Sequence, residues 1–320
     1  MVRPEKKSDF ISWRNPIAGC GNSTGMKHLI AIALAVTACH KDQSTTGSAA
    51  KEAMGLYAKG FNLILKDPRG MIDTYFQSIP KTGPTLDAKV NLFPSQQMAA
   101  SSIKEARDAF DAAKKAAPQT MADLAPASDR VMAATDKLTA TFTEAVKYYE
   151  AETYKDDKLA KGKQLHADML AESKEFDAAL GKMEEGLSAI EDAQATDAIK
   201  EHEGSKDYGY WYRYFNLQAK RFLVAAEKDP KKASDAKTAL DAAHAELAKF
   251  VADKGHDLNG AFNAYVTSAE SFHAAATKFV RATADSADLA TVDQSLVSSY
   301  NSLVTLGNSL GDVEAAGGLK

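Results

Sequence analysis

Cysteine is almost missing from this chain. Only Cys20 and Cys39 occur in 320 residues, and both precede the first helical pattern. No disulfide can staple the body and no cysteine zinc site can form within it, so ordinary packing has to hold it together. Proline is scarce, nine residues in all, and falls between patterned segments. Alternating β-branched runs are absent, which argues against sheets. So is any apolar stretch of about twenty residues, the length a membrane-spanning helix needs. An excess of positive charge is lacking too. The net charge is −4, and removing residues 1–38, which carry +3, takes it to −7. An acidic body has no basic face to neutralise phosphates, so no nucleic-acid partner is expected.

What remains is a chain rich in Ala, Lys, Glu, Asp and Leu, as helices prefer. Three seams with spacings alternating between three and four stand out. One runs Leu159, Gly162, His166, Met169, Ser173, Phe176, Leu180, Met183, Leu187, Ile190. The second runs from Leu258 through Phe262, Tyr265, Ala269, Phe272 and Ala276 to Phe279, and the third from Leu289 to Leu310. Such stripes pack helices at about 20° in bundles. The expected fold is all-α: an elongated antiparallel helical bundle with long coiled-coil-like helices, over residues 51–312, with a disordered tail over 313–320. Helices are expected near 48–66, 70–78, 96–116, 120–153, 157–195, 205–228, 231–253, 257–284 and 287–311, with breaks at Asp67-Pro68 and Asp229-Pro230. The irregular stretch Ile79–Ser95, with Pro80, Pro84 and Pro94, reads as a surface strap that packs Leu86, Val90, Leu92 and Phe93 over the bundle. Tyr57–Gly70 and Trp211–Lys232 share Phe-Asn-Leu and Lys-Asp-Pro. A duplicated hairpin and the bias of a helical composition both explain that.

The chain's address is written near its start. Leu29–Val36 is an eight-residue run of Leu, Ile, Ala and Val, preceded by Lys27 and followed by the small pair Thr37-Ala38 and then Cys39. It is too short to span a bilayer and suits the apolar core of an export signal. Val36-Thr37-Ala38-Cys39 resembles the bacterial lipobox, in which cleavage precedes a cysteine whose thiolate takes up diacylglycerol. The competing reading is a short buried helix that happens to end in cysteine. Residues 26–38 are therefore expected to be a lipoprotein signal and 39–50 a polar tether. His40, in place of Asp, favours the outer membrane. Residues 1–25 do not look like the start of a signal, and we read them as an upstream extension before a true start at Met26.

Catalytic signatures are scarce. His202-Glu203 is followed by no second His three residues on, so the zinc-peptidase motif fails. No phosphate-binding Gly-rich loop and no Gly-x-Ser-x-Gly occurs. His166 lies on the long seam near Asp156 and Asp157 and is a weak metal candidate; the better reading is a core-edge residue hydrogen-bonded across the bundle. Metal sites in bundles use paired Glu-x-x-His motifs, and His166, His202, His244, His256 and His273 are read as lacking them. The densest aromatic stretch, Tyr208–Asn216, puts Trp211, Phe215 and Phe222 on one helical face, with Tyr208, Tyr212 and Arg213 turned partly outward. Tyr208, Trp211, Tyr212 and Arg213 are the ligand-binding candidates, since Trp, Tyr and Arg dominate binding hot spots. No cofactor is expected.

Four blocks carry a family resemblance: Lys147–Leu170, "YAKGFNLIL" with "IDTYFQSIP", Tyr300–Leu310 and the lipobox. They resemble the YiiG-like family of bacterial lipoproteins, a domain of unknown function. The resemblance implies an all-helical, envelope-located protein and supplies no catalytic residues. A non-enzymatic binding or structural role is expected, with a membrane contact through a lipid at Cys39 and an envelope protein or glycan as partner. A periplasmic solute- or metal-binding protein, and then a metal-dependent envelope enzyme, are the alternatives.

Overall fold

The structure, a computed structural model, describes residues 45–86, 90, 92–285 and 289–319. Cys39, the export run and residues 1–25 lie outside them. The described residues form eight α-helices and no strand: α1 Thr45–Ser78, α2 Phe93–Ala116, α3 Leu124–Glu150, α4 Ala160–Glu201, α5 Tyr208–Lys228, α6 Ala233–Lys254, α7 Gly260–Ala284 and α8 Ala290–Ala315. Consecutive helices pack in pairs, α1 on α2, α3 on α4, α5 on α6 and α7 on α8. The expected all-α bundle is what forms.

The helices bury most of two of the stripes that the spacing marked out, whereas of the third only Leu296, Leu303 and Leu310 are fully covered. On α4, Gly162, Leu165, His166, Met169, Ser173, Phe176, Leu180, Met183 and Leu187 are all buried. On α7, Phe262, Tyr265, Ala269, Phe272, Ala276 and Phe279 are buried as well. Asn259 caps α7 by accepting from the backbone N–H groups of Ala261 and Phe262, and Asp207 caps α5 by accepting from Tyr210. Such caps satisfy the orphan donors of a helix start.

Three expected boundaries are corrected. Asp67-Pro68 does not break a helix, because α1 runs through it. Proline removes one hydrogen bond, but Ile64, Met71, Ile72 and Tyr75 are buried on either side, and Asp67 accepts a hydrogen bond from Ser102 of α2. Packing on both flanks outweighs the local defect. Asp229-Pro230 does end a helix, and the Asp229 carboxylate accepts from the Lys231 N–H of a single 3-10 turn. At the ends, α1 starts at Thr45, inside the stretch read as a tether, and α8 runs to Ala315, inside the stretch read as a disordered tail. The strap is half right. Leu92 is buried and Val90 packs against the core, while Leu86 stays 54% exposed.

Two apolar cores form among the described residues. The first joins α1–α4, from Ala53 to Leu187, and the second joins α5–α8, from Tyr208 to Leu310. The two Phe-Asn-Leu blocks lie on α1 and α5, the first helix of each group, and Phe61 and Phe215 are both fully buried. α4 ties the groups together. Its 42 residues extend over about 63 Å at ~1.5 Å per residue. Its first two thirds lie in the first core. Beyond Leu187, its Glu191 and Asp192 pair with Lys220 of α5 at 2.7 and 2.9 Å.

Candidate functional site

The aromatic helix α5 is the centre of the second core, and its candidate residues point inward. Trp211 and Phe215 are buried as expected. Tyr208, Tyr212 and Arg213, expected to turn partly outward, are buried as well. The reason is that α5 is enclosed on several sides, by α6, α7, α8 and the end of α4. The tyrosines left half-exposed are Tyr210 and Tyr214, whose rings stack 5.6 Å apart, with the Trp211 ring edge-on to both.

Glu314, on the last turn of α8, closes the α5 start. Arg213 donates to Glu314 Oε2 at 2.6 Å and to the Gly209 carbonyl at 3.0 Å, and the Tyr212 hydroxyl donates to Glu314 Oε2 at 3.0 Å. His202, at the end of α4, sits 2.9 Å from Asp207 Oδ1 and 3.5 Å from Glu314 Oε1. Gly209 is required here. A Cβ at that position would fall 2.4 Å from Glu314 Oε1 and 2.6 Å from His202 Cε1. Charge pairing and hydroxyl donation thus fold the Tyr208–Arg213 candidates into a structural joint of α4, α5 and α8.

Beside that joint, α4, α5 and α8 leave a small cavity. The space open to the centres of water molecules is about 70 Å³. Glu191 and Gln194 of α4, Arg213, Asn216 and Lys220 of α5 and Tyr300 of α8 line it, with Ala198, Leu217 and Val304 as an apolar wall. Glu191 Oε2 holds Lys220, while Oε1 is buried without a hydrogen-bond partner. Burial raises the Glu191 carboxyl, against the opposing pull of Lys220. Burial also raises the Tyr300 phenol, helped by the charges of Glu191 and Asp192. Of the four ligand-binding candidates only Arg213 reaches this cavity. Glu191 carries no motif and lies just past the end of the α4 seam, while Lys220 falls in the Trp211–Lys232 block and Tyr300 opens the Tyr300–Leu310 block, neither of which marked them as cavity residues.

His166 takes the bland role. Its Nε2 lies 3.2 Å from the Lys81 carbonyl, so Nε2 carries the proton, and Nδ1 accepts from the Tyr75 hydroxyl at 3.5 Å. Asp157 is occupied elsewhere. It accepts from the Tyr148 hydroxyl at 2.8 Å and from the N–H groups of Leu159 and Lys161 at 2.9 and 3.0 Å. Burial works against the ionised form, but these hydrogen bonds hold the Asp157 carboxyl below its ordinary range. Among the described residues no group of three or more His, Cys, Asp or Glu is arranged to hold a metal ion. The reading of the histidines as lacking a Glu-x-x-His motif is corrected on α7. Glu270-x-x-His273 on α7 faces Asp241-x-x-His244 on α6, and the two imidazoles stack with ring centres 4.0 Å apart.

An all-helical protein with two packed cores, a polar joint and a small cavity beside it is the class that these features define. The chain belongs to the family described as "Protein of unknown function (DUF3829)", which matches residues 50–305. It is similar to the uncharacterized protein YiiG of Escherichia coli (strain K12), with 30% identity over 168 residues, covering 51% of this chain and 46% of that protein. The chain thus matches that relative over about half of the relative's length. No solved structure matches it.

Proposed function

We propose that the protein is a lipid-anchored component of the bacterial cell envelope, held through Cys39 and facing the periplasm from the outer membrane, with a binding rather than a catalytic role. The observation that carries this reading is the run Lys27 to Cys39, with its positive flank, apolar core, small residues and terminal cysteine in lipoprotein order. The start of α1 at Thr45 adds to it. The five residues 40–44 reach at most about 18 Å, so an acyl chain on Cys39 would keep the helical body close to the membrane surface. A partner protein or glycan would then meet the body where tyrosines remain accessible, at Tyr210 and Tyr214. A second reading, solute binding, is favoured by the α4–α5–α8 cavity and the unpartnered Glu191 Oε1.

The test is the intact mass of the mature N-terminal fragment from the native host. A fragment that begins at diacylated Cys39, and is lost in Cys39→Ser, is the expected result. An unmodified Cys39 with residues 1–38 retained would overturn the proposal.

A further inference from the structure

The facing histidines of α6 and α7 belong to a compact charged cluster. Their rings lie 5° from parallel with centres 4.0 Å apart. His273 Nε2 is 2.6 Å from Asp241 Oδ1 and 3.3 Å from the Lys237 ammonium, and Lys237 itself bonds Asp241. Lys237 is buried, an unusual place for an ammonium, and Asp241 is its counter-charge. On the other side of the stack, His244 faces the Phe215 ring of α5 at 6.3 Å. Glu270 of α7 adds one further charge near His244. Asp241 and His273 bond each other directly and the Lys237 ammonium lies against both, so these groups are already engaged with one another.

Charge counting shows what the cluster tolerates. One imidazolium in the stack, together with Lys237, balances Asp241 and Glu270. A second proton, on His244, leaves one positive charge uncompensated and sets two imidazolium rings face to face. We propose that the His244–His273 stack is an acid-sensitive joint: uptake of a proton on His244, face to face with the second imidazole and beside the buried Lys237, parts the rings and loosens the α6–α7 seam. Burial, and then the facing His273, lower His244 from its ordinary value, which is the direction this joint requires. The unfolded chain takes up that proton more readily than the native one. The stability contributed by neutral His244 is therefore present above about pH 6.5 and is lost as the pH falls below it.

The test is hydrogen exchange on the full chain at pH 7 and pH 5, corrected for intrinsic rates, together with an NMR titration of the imidazoles. The expected result is severalfold faster exchange in α6 and α7 at pH 5 than at pH 7, while α1–α4 change little. His244→Gln should abolish that response, and His273→Gln should move the His244 titration toward higher pH. An equal acid response in His244→Gln, or none in the native chain, overturns the joint. Should His244→Gln fail to fold, the native titration decides. A His244 titration displaced below the ordinary histidine range supports the joint, and one within that range overturns it.

Discussion

Glu184 lies on α4 against α5. Burial first, and then the charge of Glu227, push its carboxyl up to about 7 from an ordinary value of 4.5. Because the folded form binds the proton more tightly than the unfolded one, the associated stability is complete below pH 4.5 and is lost as the pH rises through 7. Glu184→Gln removes that loss. Urea denaturation should find the variant more stable than the native chain at pH 8, by on the order of 2 kcal/mol, and the two nearly equal at pH 4. A variant that is less stable at pH 8 would show that the ionised carboxylate is needed at the α4–α5 contact. The Arg213–Glu314 pair belongs to this scale as well. Its residues were legible as a helix face and a chain end, but the contact between them was not, since it spans 101 positions of sequence.

The start of α4 is set by a buried side chain together with the Asp157 carboxylate that accepts from the Leu159 and Lys161 N–H groups. Lys158 and Leu159 both adopt left-handed backbone, with φ of 51° and 69°. That conformation costs a non-glycine residue about 1–2 kcal/mol. Lys158 is exposed, whereas Leu159 is buried in the first core, and its burial holds the turn in place. The same dihedral should therefore respond in opposite ways to glycine. Lys158→Gly is expected to leave stability unchanged or raise it by up to about 1 kcal/mol through relief of strain. Leu159→Gly should lower it by about 1.5–3 kcal/mol, the worth of a buried leucine side chain. Denaturant midpoints of the two variants check this, and a loss in both would mean that the Lys158 side chain has a role in packing. Helix positions were readable within a few residues from spacing alone. The two left-handed residues were not, because nothing local marks Leu159 as the residue that must reach the core.

At the scale of the molecule, α4 serves both groups: its seam fills the first core, and Glu191 and Asp192 grip α5. Ala195 lies beyond Leu187 in the stretch that meets the second group. A proline inside a helix costs about 3 kcal/mol or more. Ala195→Pro should therefore uncouple the groups, and calorimetry should resolve two transitions where the native chain shows one. A single transition at a lower temperature would mean that the cores are coupled by contacts other than a continuous α4. Taken alone, the sequence determined the fold class, the helices, their buried stripes and the Asp229-Pro230 break, because a period of 3.6 residues and local capping act over a few neighbours. Only the tertiary structure decided that there are two cores, that α1 survives Pro68, that Tyr208, Tyr212 and Arg213 turn inward, and that Glu191 meets Tyr300 across a cavity. Each of these depends on which distant helix covers a given face, and the free energy of burying that face exceeds the local preference that the sequence displays.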